Sequence, residues 1–366
     1  MARARWLGFL LGASIAPPLG AVQIGINTFN DVAQIVYGDN VVQIDGGIIR
    51  ADDGYSSING FRLDDVGDSA GRHSRDNSLF SVTLTGDQHG QTIQLPIKLG
   101  RTTFNTRSII KAWFSDRTQA VNNGCIRIEP AISTGASAIE QTVDIDPGNN
   151  ISQNCSGVSA EFRYRDIKPA QGIRREVLFD LPSIMHSEAY QRLPPDLYFF
   201  RGNVSGLERW LPRVGSSSRD FPLPLNINIR KQAYFSGLSL PATTLPLRVT
   251  YADQRVRGSA SIPITLQGAF DPQFGRVRLS ARSSGSFSLR NGRNEIPYQA
   301  AAVVNQQRYV LNDGSRASAP IVLSNLNDVR QIPLQLEVTF DQPRSQIGGS
   351  GSYRDNLTLI AEVPLV

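Results

Sequence analysis

Few residues of this chain are of the types that carry catalysis or bind metals. Two cysteines and three histidines, His73, His89 and His186, leave too few soft ligands for a structural zinc or iron–sulfur site. The acidic pairs Asp52-Asp53 and Asp64-Asp65 lack calcium-loop spacing and lie near glycines, where acidic residues commonly form turns. The sequence contains no nucleophile elbow, phosphate loop or metalloprotease motif. We therefore predict that the protein is not an enzyme and uses no cofactor or metal.

The first residues have the parts of a secretory signal peptide. Two arginines precede an apolar run from Trp6 to Ala16, and small residues up to Ala21 offer a cleavage site. The run is shorter than the roughly 20 residues that span a membrane, so we expect residues 1–21 to be removed during export. In an oxidising compartment Cys125 and Cys155 are expected to form one disulfide bond. Two buried free thiols are the alternative.

The net charge of +5 comes almost entirely from arginine and is scattered along the chain, so no nucleic-acid partner is expected. The densest basic cluster contains Arg163, Arg165, Lys168, Arg174 and Arg175, with Phe162 and Tyr164 interleaved. Such a mixture can bind acidic glycans or a negatively charged surface, which makes the four arginines candidates for receptor binding. The alternative is a set of outward-facing charges, because Arg163 and Arg165 share one face of a strand.

The elements that must position these residues are almost all strands. With 32 glycines and 21 prolines, the chain consists of short β-rich runs separated by Gly, Asp or Asn. One short helix is predicted within Leu181–Leu193, where Pro182-Ser183 can begin it. The polar stretch Gly215–Ser218 indicates a boundary. We therefore expect an all-β protein with domains at residues 22–214 and 215–366.

The end of the chain has the clearest pattern. A glycine-rich stretch ends in Tyr353 and Asp355, and an alternating strand follows. The apolar residues on one face of that strand are Leu357, Leu359, Ala361, Val363 and Leu365. A terminal strand with one apolar face is a place where another chain can add a strand. An ordinary strand of a complete sheet is the alternative.

The C-terminal part resembles the subunits of chaperone–usher pili. The resemblance rests on residues that occur in the order of pilin domains: Phe287, Leu289, Pro297-Tyr298, Ile332–Phe340 and Gly351-Ser352-Tyr353. A pilin-like domain in second position is the layout of two-domain tip adhesins. The chain therefore resembles tip adhesins of the CblD-like and colonisation-factor type, and the archaic spore-coat-U-like branch is a further possibility.

This resemblance implies two immunoglobulin-like β-sandwich domains, the second an incomplete pilin fold, and a fimbrial tip adhesin that attaches to a surface or glycan receptor. It implies three assembly partners: a periplasmic chaperone, an outer-membrane usher, and the next pilus subunit, joined by a donor strand. Export would run through the periplasm to the pilus tip at the cell surface. The implied chaperone and donor-strand interface comprises Tyr353, Leu357, Leu359, Val363 and Leu365. The alternatives are a non-tip structural pilus subunit and a secreted β-sandwich protein that binds carbohydrate or cleaves glycosides.

Overall fold

A computed structural model gives the fold of the protein. The residues that it describes are 22–29, 32–37, 42–44, 48–52, 56–57, 70–77, 79–106, 109–114, 127–129, 141–146, 155–164, 170–212, 219–273, 275–314 and 316–364. The predicted signal peptide at residues 1–21 lies outside this set, as do Cys125, Arg165 and Leu365.

The N-terminal part of the chain is built mainly from strands. They are β1 (Val22–Phe29), β2 (Val32–Tyr37), β3 (Val42–Ile44), β4 (Ile48–Asp52), β5 (Ser56–Ser57), β6 (Ala70–Asn77), β7 (Phe80–Gly86), β8 (Thr92–Thr106), β9 (Ile109–Phe114), β10 (Arg127–Glu129), β11 (Gln141–Asp146), β12 (Cys155–Tyr164), β13 (Ala170–Asp180), β14 (Asp196–Val204), β15 (Glu208–Pro212), β16 (Arg219–Asp220) and β17 (Leu223–Lys231). The predicted all-β fold is confirmed.

These strands form two sheets. The larger has the order β2-β1-β17-β14-β7-β8-β13-β4-β3, and β5, β10 and β11 join it through β13 and β8. The smaller has the order β16-β15-β6-β12-β9. Alternate residues of β1, Val22, Ile24 and Ile26, are buried in the first core, because only one face of the strand is apolar. Val22 to Ile26 is therefore part of the first strand of this sheet.

The predicted helix at 181–193 is two short helices, α1 (Leu181–Met185) and α2 (Glu188–Arg192). Asp180 caps α1 by accepting a hydrogen bond from the Ser183 amide at 3.1 Å. The Ser187 hydroxyl accepts from the Tyr190 amide at 3.2 Å and starts a second helix there. The serine cap divides the segment, and neither helix approaches the length of a membrane span in the part of the chain described.

The C-terminal part has its own strands. They are β18 (Tyr234–Ser239), β19 (Arg248–Ala252), β20 (Arg255–Ala269), β21 (Val277–Ser283), β22 (Ser288–Asn291), β23 (Asn294–Pro297), β24 (Gln299–Val304), β25 (Gln307–Val310), β26 (Ile321–Leu323), β27 (Gln331–Pro343) and β28 (Leu357–Glu362).

Three sheets enclose a second core in this part. One has the order β18-β20-β27-β24-β25, with β19 also paired to β20, and another has the order β26-β21-β28. The pair β22-β23 forms the third sheet. Leu266 of β20, Leu279 of β21 and Ala300 of β24 are fully buried in the core that they share. The β20 and β21 sheets thus face each other as a sandwich does.

The predicted boundary at 214/215 stays a prediction, and the two strands that follow it in the chain, β16 and β17, pair with strands of the N-terminal sheets. β16 pairs with β15, and β17 lies between β1 and β14 in the larger N-terminal sheet. The apolar face of β17 is buried in the first core and consists of Leu223, Leu225, Ile227 and Ile229. A polar stretch at 215–218 is a local loop signal, whereas long-range pairing decides which sheet the next strand joins.

Two contacts connect the N-terminal strands with the chain beyond β17. The Gln232 amide donates to the Thr28 carbonyl at 2.9 Å, and the His89 imidazole lies 3.2 Å from the Asp271 carboxylate, with both side chains buried. Asp196 accepts hydrogen bonds from the backbone amides of Gln88 and His89, both at 3.0 Å, which holds the turn after β7 in place. The N-terminal unit therefore presents His89 on a fixed turn to the C-terminal unit.

Candidate functional site

The candidate site begins at β28, which lies at one edge of its sheet. β28 pairs antiparallel with β21, from Leu357 opposite Ser283 to Glu362 opposite Arg278. No other strand among the described residues pairs with the second edge of β28. An edge of this kind presents unpaired backbone amides and carbonyls to a further strand.

The side chains of β28 alternate as the sequence predicts. The residues packed against the second core are Leu357, Leu359, Ala361 and Val363, and all four are only partly buried. Thr358 and Glu362, on the other face, are exposed. Leu279 and Ala281 of β21, which lie opposite Ala361 and Leu359, are buried in the same core. The core-facing residues of β21 are therefore buried, whereas those of β28 remain partly exposed to solvent.

The sheet that contains β18, β19 and β20 also has apolar residues exposed on the side that faces the core. Val249 and Tyr251 of β19 lie opposite Gly258 and Val256 of β20, and both β20 residues are buried. Residues directly opposite each other in an antiparallel pair share a face, so Val249 and Tyr251 face the core side of the sheet. They are nevertheless 43% and 72% exposed. Side chains of this size on a core-facing surface remain exposed only where nothing covers them.

The same is true along β18 and the segment that joins it to β19. Leu238 of β18 is opposite the fully buried Leu266 and is itself exposed. Leu245 and Leu247 precede β19 and pack, partly buried, against the same core as the β28 residues. We infer an apolar groove between the β18–β19 edge and β28, which we call the open groove. Its apolar lining suits an added strand with alternate apolar residues.

The turn before β28 is held by the Asp355 carboxylate. It accepts hydrogen bonds from the hydroxyl groups of Ser283 at 2.6 Å, Ser284 at 2.9 Å and Tyr298 at 2.5 Å, and from the Gly285 amide at 2.8 Å. Partial burial acts to raise the pKa of Asp355, but these hydrogen bonds outweigh it and hold the pKa below its ordinary value. Burial, and then the bond to Asp355, raise the pKa of the Tyr298 phenol. The turn therefore carries a charged carboxylate with four donors.

Backbone contacts fix the residues on either side of Tyr353. Arg354 exchanges two backbone hydrogen bonds with Arg290, at 2.8 and 3.0 Å. The Tyr353 ring packs against the second core, and its hydroxyl donates to the Gly349 carbonyl at 3.0 Å. Gly351 has a φ of 146°, and a Cβ there would lie 2.2 Å from the side-chain nitrogen Nδ2 of Asn291. Only glycine fits this position.

The structure separates the predicted receptor-binding arginines. Arg163 lies on β12 of the smaller N-terminal sheet, while Arg174 and Arg175 lie on β13 of the larger sheet. The Arg175 side chain is buried, and its guanidinium donates to the Pro222 carbonyl at 2.8 Å. Arg165 lies outside the described residues. The segments that hold Arg163 and Arg174 are thus not neighbours within one sheet.

The structure brings the predicted interface residues Leu357, Leu359 and Val363 together against one core. The β18–β19 side of the open groove was not predicted from the sequence. No motif in the sequence predicts a functional role for Val249 and Tyr251. Their alternation with Leu245 and Leu247 was visible in the sequence. The partners of Asp355, in contrast, come from the end of β21 and from Tyr298 between β23 and β24, and no local pattern in the sequence reveals them. Of the predicted disulfide, Cys125 lies outside the described residues and Cys155 begins β12.

The chain is similar to solved structures of fimbrial adhesins. One, from work on a chaperone–tip adhesin complex in the biogenesis of CFA/I fimbriae, is 11% identical, covers 94% of this chain and 97% of that chain, and has a TM-score of 0.41. CfaE, the adhesive subunit of CFA/I fimbria of enterotoxigenic Escherichia coli, is 10% identical over 79% and 78%, with a TM-score of 0.36. The CsuC–CsuE chaperone–tip complex of archaic Csu pili of Acinetobacter baumannii is 14% identical over 93% and 99%, with a TM-score of 0.29.

No protein-family model matches the sequence, and no curated protein matches it. The similar structures are adhesins of the kind that the sequence resembles.

Proposed function

We propose that the protein is a fimbrial tip adhesin that caps a chaperone–usher pilus and attaches to a surface or glycan receptor. The observation that carries this proposal is the open groove. Val249 and Tyr251 face the core side of one sheet and remain exposed, while β28 in the other sheet has an unpaired edge among the described residues. A sandwich of this form lacks one strand, and a partner must supply it.

The missing strand would come first from a periplasmic chaperone and then from the next pilus subunit. An added strand gains backbone hydrogen bonds along β28 and buries its alternate apolar side chains against Leu357, Leu359 and Val363. Full burial of one such side chain contributes about 1.5–3 kcal/mol. Until the strand arrives, the exposed groove promotes aggregation. The chaperone, and an outer-membrane usher that accepts the subunit from it, would prevent this.

A position at the tip is supported by the pairing of β1. This strand lies between β17 and β2, with Val22, Ile24 and Ile26 buried. It is therefore not available as a donor strand for another subunit. A non-tip structural subunit would have to donate a different segment.

Receptor binding would belong to the N-terminal unit. Arg163, Arg165 and Arg174 remain the proposed residues for an acidic glycan or surface. Arg175 is not suited to direct contact, because it is buried and donates to the backbone.

Expression of the full chain in the periplasm, with and without its pilus chaperone, tests the proposal. We expect soluble chain only as a complex with the chaperone. A soluble chain that unfolds cooperatively without any partner would contradict an incomplete sandwich.

A further inference from the structure

A cavity of about 640 Å³ lies on the outer face of the sheet that contains β20 and β27. The polar residues that line it come from β19, β20, β24 and β27 and are Thr250, Arg257, Ser259, Gln299, Thr339 and Asp341. In the pairing register Arg257 is opposite both Thr250 and Asp341. Thr339 is opposite both Ser259 and Gln299. Opposite residues share a face, and so do Arg257 and Ser259, two positions apart on one strand. The residues between them, Gly258 and Phe340, are buried on the core side, so this cavity and the open groove lie on opposite sides of the sheet.

A loop held by hydrogen bonds borders the cavity. Gly314, at the tip of this loop, is one of the lining residues. At the base of the loop the fully buried Asn312 donates to the Tyr298 carbonyl at 2.8 Å and accepts from the Ala300 amide at 2.6 Å. Asn312 also forms a backbone bridge with Ala317, which joins the two sides of the loop. The cavity therefore has a preformed wall, and its volume is within the roughly 300–1,000 Å³ of small-ligand sites.

Positive charge is in excess at this face of the sheet. Arg257 donates through Nε to the Asp341 carboxylate at 3.2 Å, and Arg255 donates to the same carboxylate at 2.6 Å. Arg248 lies opposite Ser259 in the register and therefore on the same face. Of the described residues that line the cavity, only Asp341 is acidic. Three arginines thus lie around one carboxylate, and this excess of positive charge favours an anionic ligand.

Hydrogen-bond donors are also present in the cavity. The bond from Nε to Asp341 leaves the two Nη groups of Arg257 for a second carboxylate, which arginine binds with two parallel hydrogen bonds. Arg308 donates to the side-chain oxygen of Gln299 at 2.9 Å, so the amide nitrogen of Gln299 is the donor left for a ligand. Ser259 and Thr339 add hydroxyl groups, which both donate and accept. Such a set matches a molecule that carries a carboxylate and several hydroxyl groups.

We propose that this cavity binds an acidic oligosaccharide, with a sugar carboxylate on Arg257 and ring hydroxyl groups on Ser259, Gln299 and Thr339. A neutral sugar lacks the group that the arginine binds, and an acidic peptide lacks the hydroxyl groups of the ring. The site belongs to the C-terminal unit, so it is separate from the arginines of the N-terminal unit proposed above for receptor binding. It gives the protein a second place at which to hold a glycan, and it does not depend on strand addition in the open groove.

Isothermal titration calorimetry on the full chain, kept soluble by a fused donor strand, tests the proposal. The acidic probes are trigalacturonic acid and sialyllactose, and their neutral counterparts are the methyl ester of trigalacturonic acid and lactose. A triglutamate peptide controls for charge alone. We expect an acidic sugar to bind, and its neutral counterpart and the peptide to bind at least about tenfold more weakly, since hydrogen bonds to charged groups are the stronger ones. Binding of neither acidic sugar, or equal binding of the peptide, would overturn the proposal.

Variants locate the binding site. Arg257→Gln should weaken binding of the acidic sugar by at least about tenfold. Ser259→Tyr fills the cavity without a change of charge and should weaken binding as well. The matched control is Arg278→Gln, because Arg278 is an exposed arginine of β21 in the other sheet and the change of charge is the same. This control should bind as the unmodified chain does.

Two results would contradict a site in this cavity. The first is equal binding by Arg257→Gln and the Arg278→Gln control. The second is loss of binding in Arg163→Gln with normal binding in Arg257→Gln, which would place the acidic-glycan site in the N-terminal unit. In that case the cavity proposal fails and the proposed function stands.

Discussion

The hydroxyl group of Tyr298 donates a hydrogen bond of 2.5 Å to the carboxylate of Asp355. Asp355 lies just before β28, and Tyr298 lies between β23 and β24, on the other side of the sandwich. Ser283 and Ser284, at the end of β21, donate to the same carboxylate. The start of the terminal strand is therefore anchored to two separate elements, and the open groove keeps a fixed wall before any partner binds.

Loss of this anchor should destabilise the C-terminal unit. Asp355→Asn removes the charge that four donors share, and hydrogen bonds to charged groups contribute about 1.5–3 kcal/mol each. We expect the free energy of unfolding to fall by at least about 2 kcal/mol. Urea unfolding of the full chain with a fused donor strand measures this change.

Asp341→Asn is the control, because Asp341 is an exposed carboxylate paired with Arg255 at 2.6 Å and Arg257 at 3.2 Å. Its free energy of unfolding should change much less, because exposed ion pairs are screened by solvent. Equal losses in the two variants would show that Asp355 is no more than a surface charge.

The contribution of Asp355 should depend on pH. Its hydrogen bonds hold its pKa below the ordinary value in the folded protein. The stabilisation is therefore fully present above the unfolded-state pKa of about 3.9 and is lost as the pH falls through the folded-state pKa. The difference in unfolding free energy between the unmodified chain and Asp355→Asn should be constant near neutral pH and shrink in acid below about pH 4. The same difference in unfolding free energy at neutral pH and in acid would contradict a stabilising role for the charged form of Asp355.

The register of β28 predicts which substitutions block assembly. Leu359→Asp and Val363→Asp place a charge on the core-facing side and should abolish chaperone binding. Thr358→Asp lies on the exposed face and should bind normally. Co-purification of tagged chaperone with each variant, together with antibody detection of pili at the cell surface, measures both steps. Deletion of residues 364–366, which removes Leu365, should also prevent display.

The sequence was informative where a pattern is local. The alternation from Leu357 to Val363 predicts both the strand and its core-facing side, because side chains of a strand point to opposite faces in turn. The exposure of Val249 and Tyr251 could not be predicted in this way. It depends on a neighbouring strand that the described part of the chain does not supply, and a single sequence does not show which strand is missing.

Long-range pairing also decides which sheet β17 joins. The residues from Leu223 to Ile229 predict a strand equally well for either unit, and the parallel pairing of Ile24 with Ile227 decides between them. The prediction of a single helix at 181–193 was wrong for a local reason, because Ser187 caps a second helix in the middle of the segment.

The contact between His89 and Asp271 should hold the two units together. Asp271→Asn leaves the shape nearly unchanged but removes the charge that faces His89 at 3.2 Å and Arg276 at 3.6 Å. We expect faster cleavage by a protease at residues 232–233, which join the units. The control is His186→Ala, because His186 is an exposed histidine of the N-terminal unit. This variant should be cleaved at the rate of the unmodified chain. No change in Asp271→Asn would mean that other contacts suffice.

The disulfide between Cys125 and Cys155 remains a prediction from the sequence. It would close a loop of about 30 residues, which the chain-entropy treatment values at roughly 3–4 kcal/mol. Peptide mapping of the exported protein without reductant should recover the two cysteines in one linked pair. Recovery of both as thiols would refute the pairing.

Hydrogen exchange along β28 tests the central claim most directly. The full chain is measured alone and with a synthetic peptide of roughly twelve residues that alternates valine with threonine or lysine, a length that covers one strand. A control peptide has the same composition with its valines in one block. Strand addition predicts that the amides of Leu357–Glu362 on the edge away from β21 become protected with the alternating peptide only. Unchanged exchange in β28 at saturating peptide, with protection elsewhere or nowhere, would contradict an open groove at this strand.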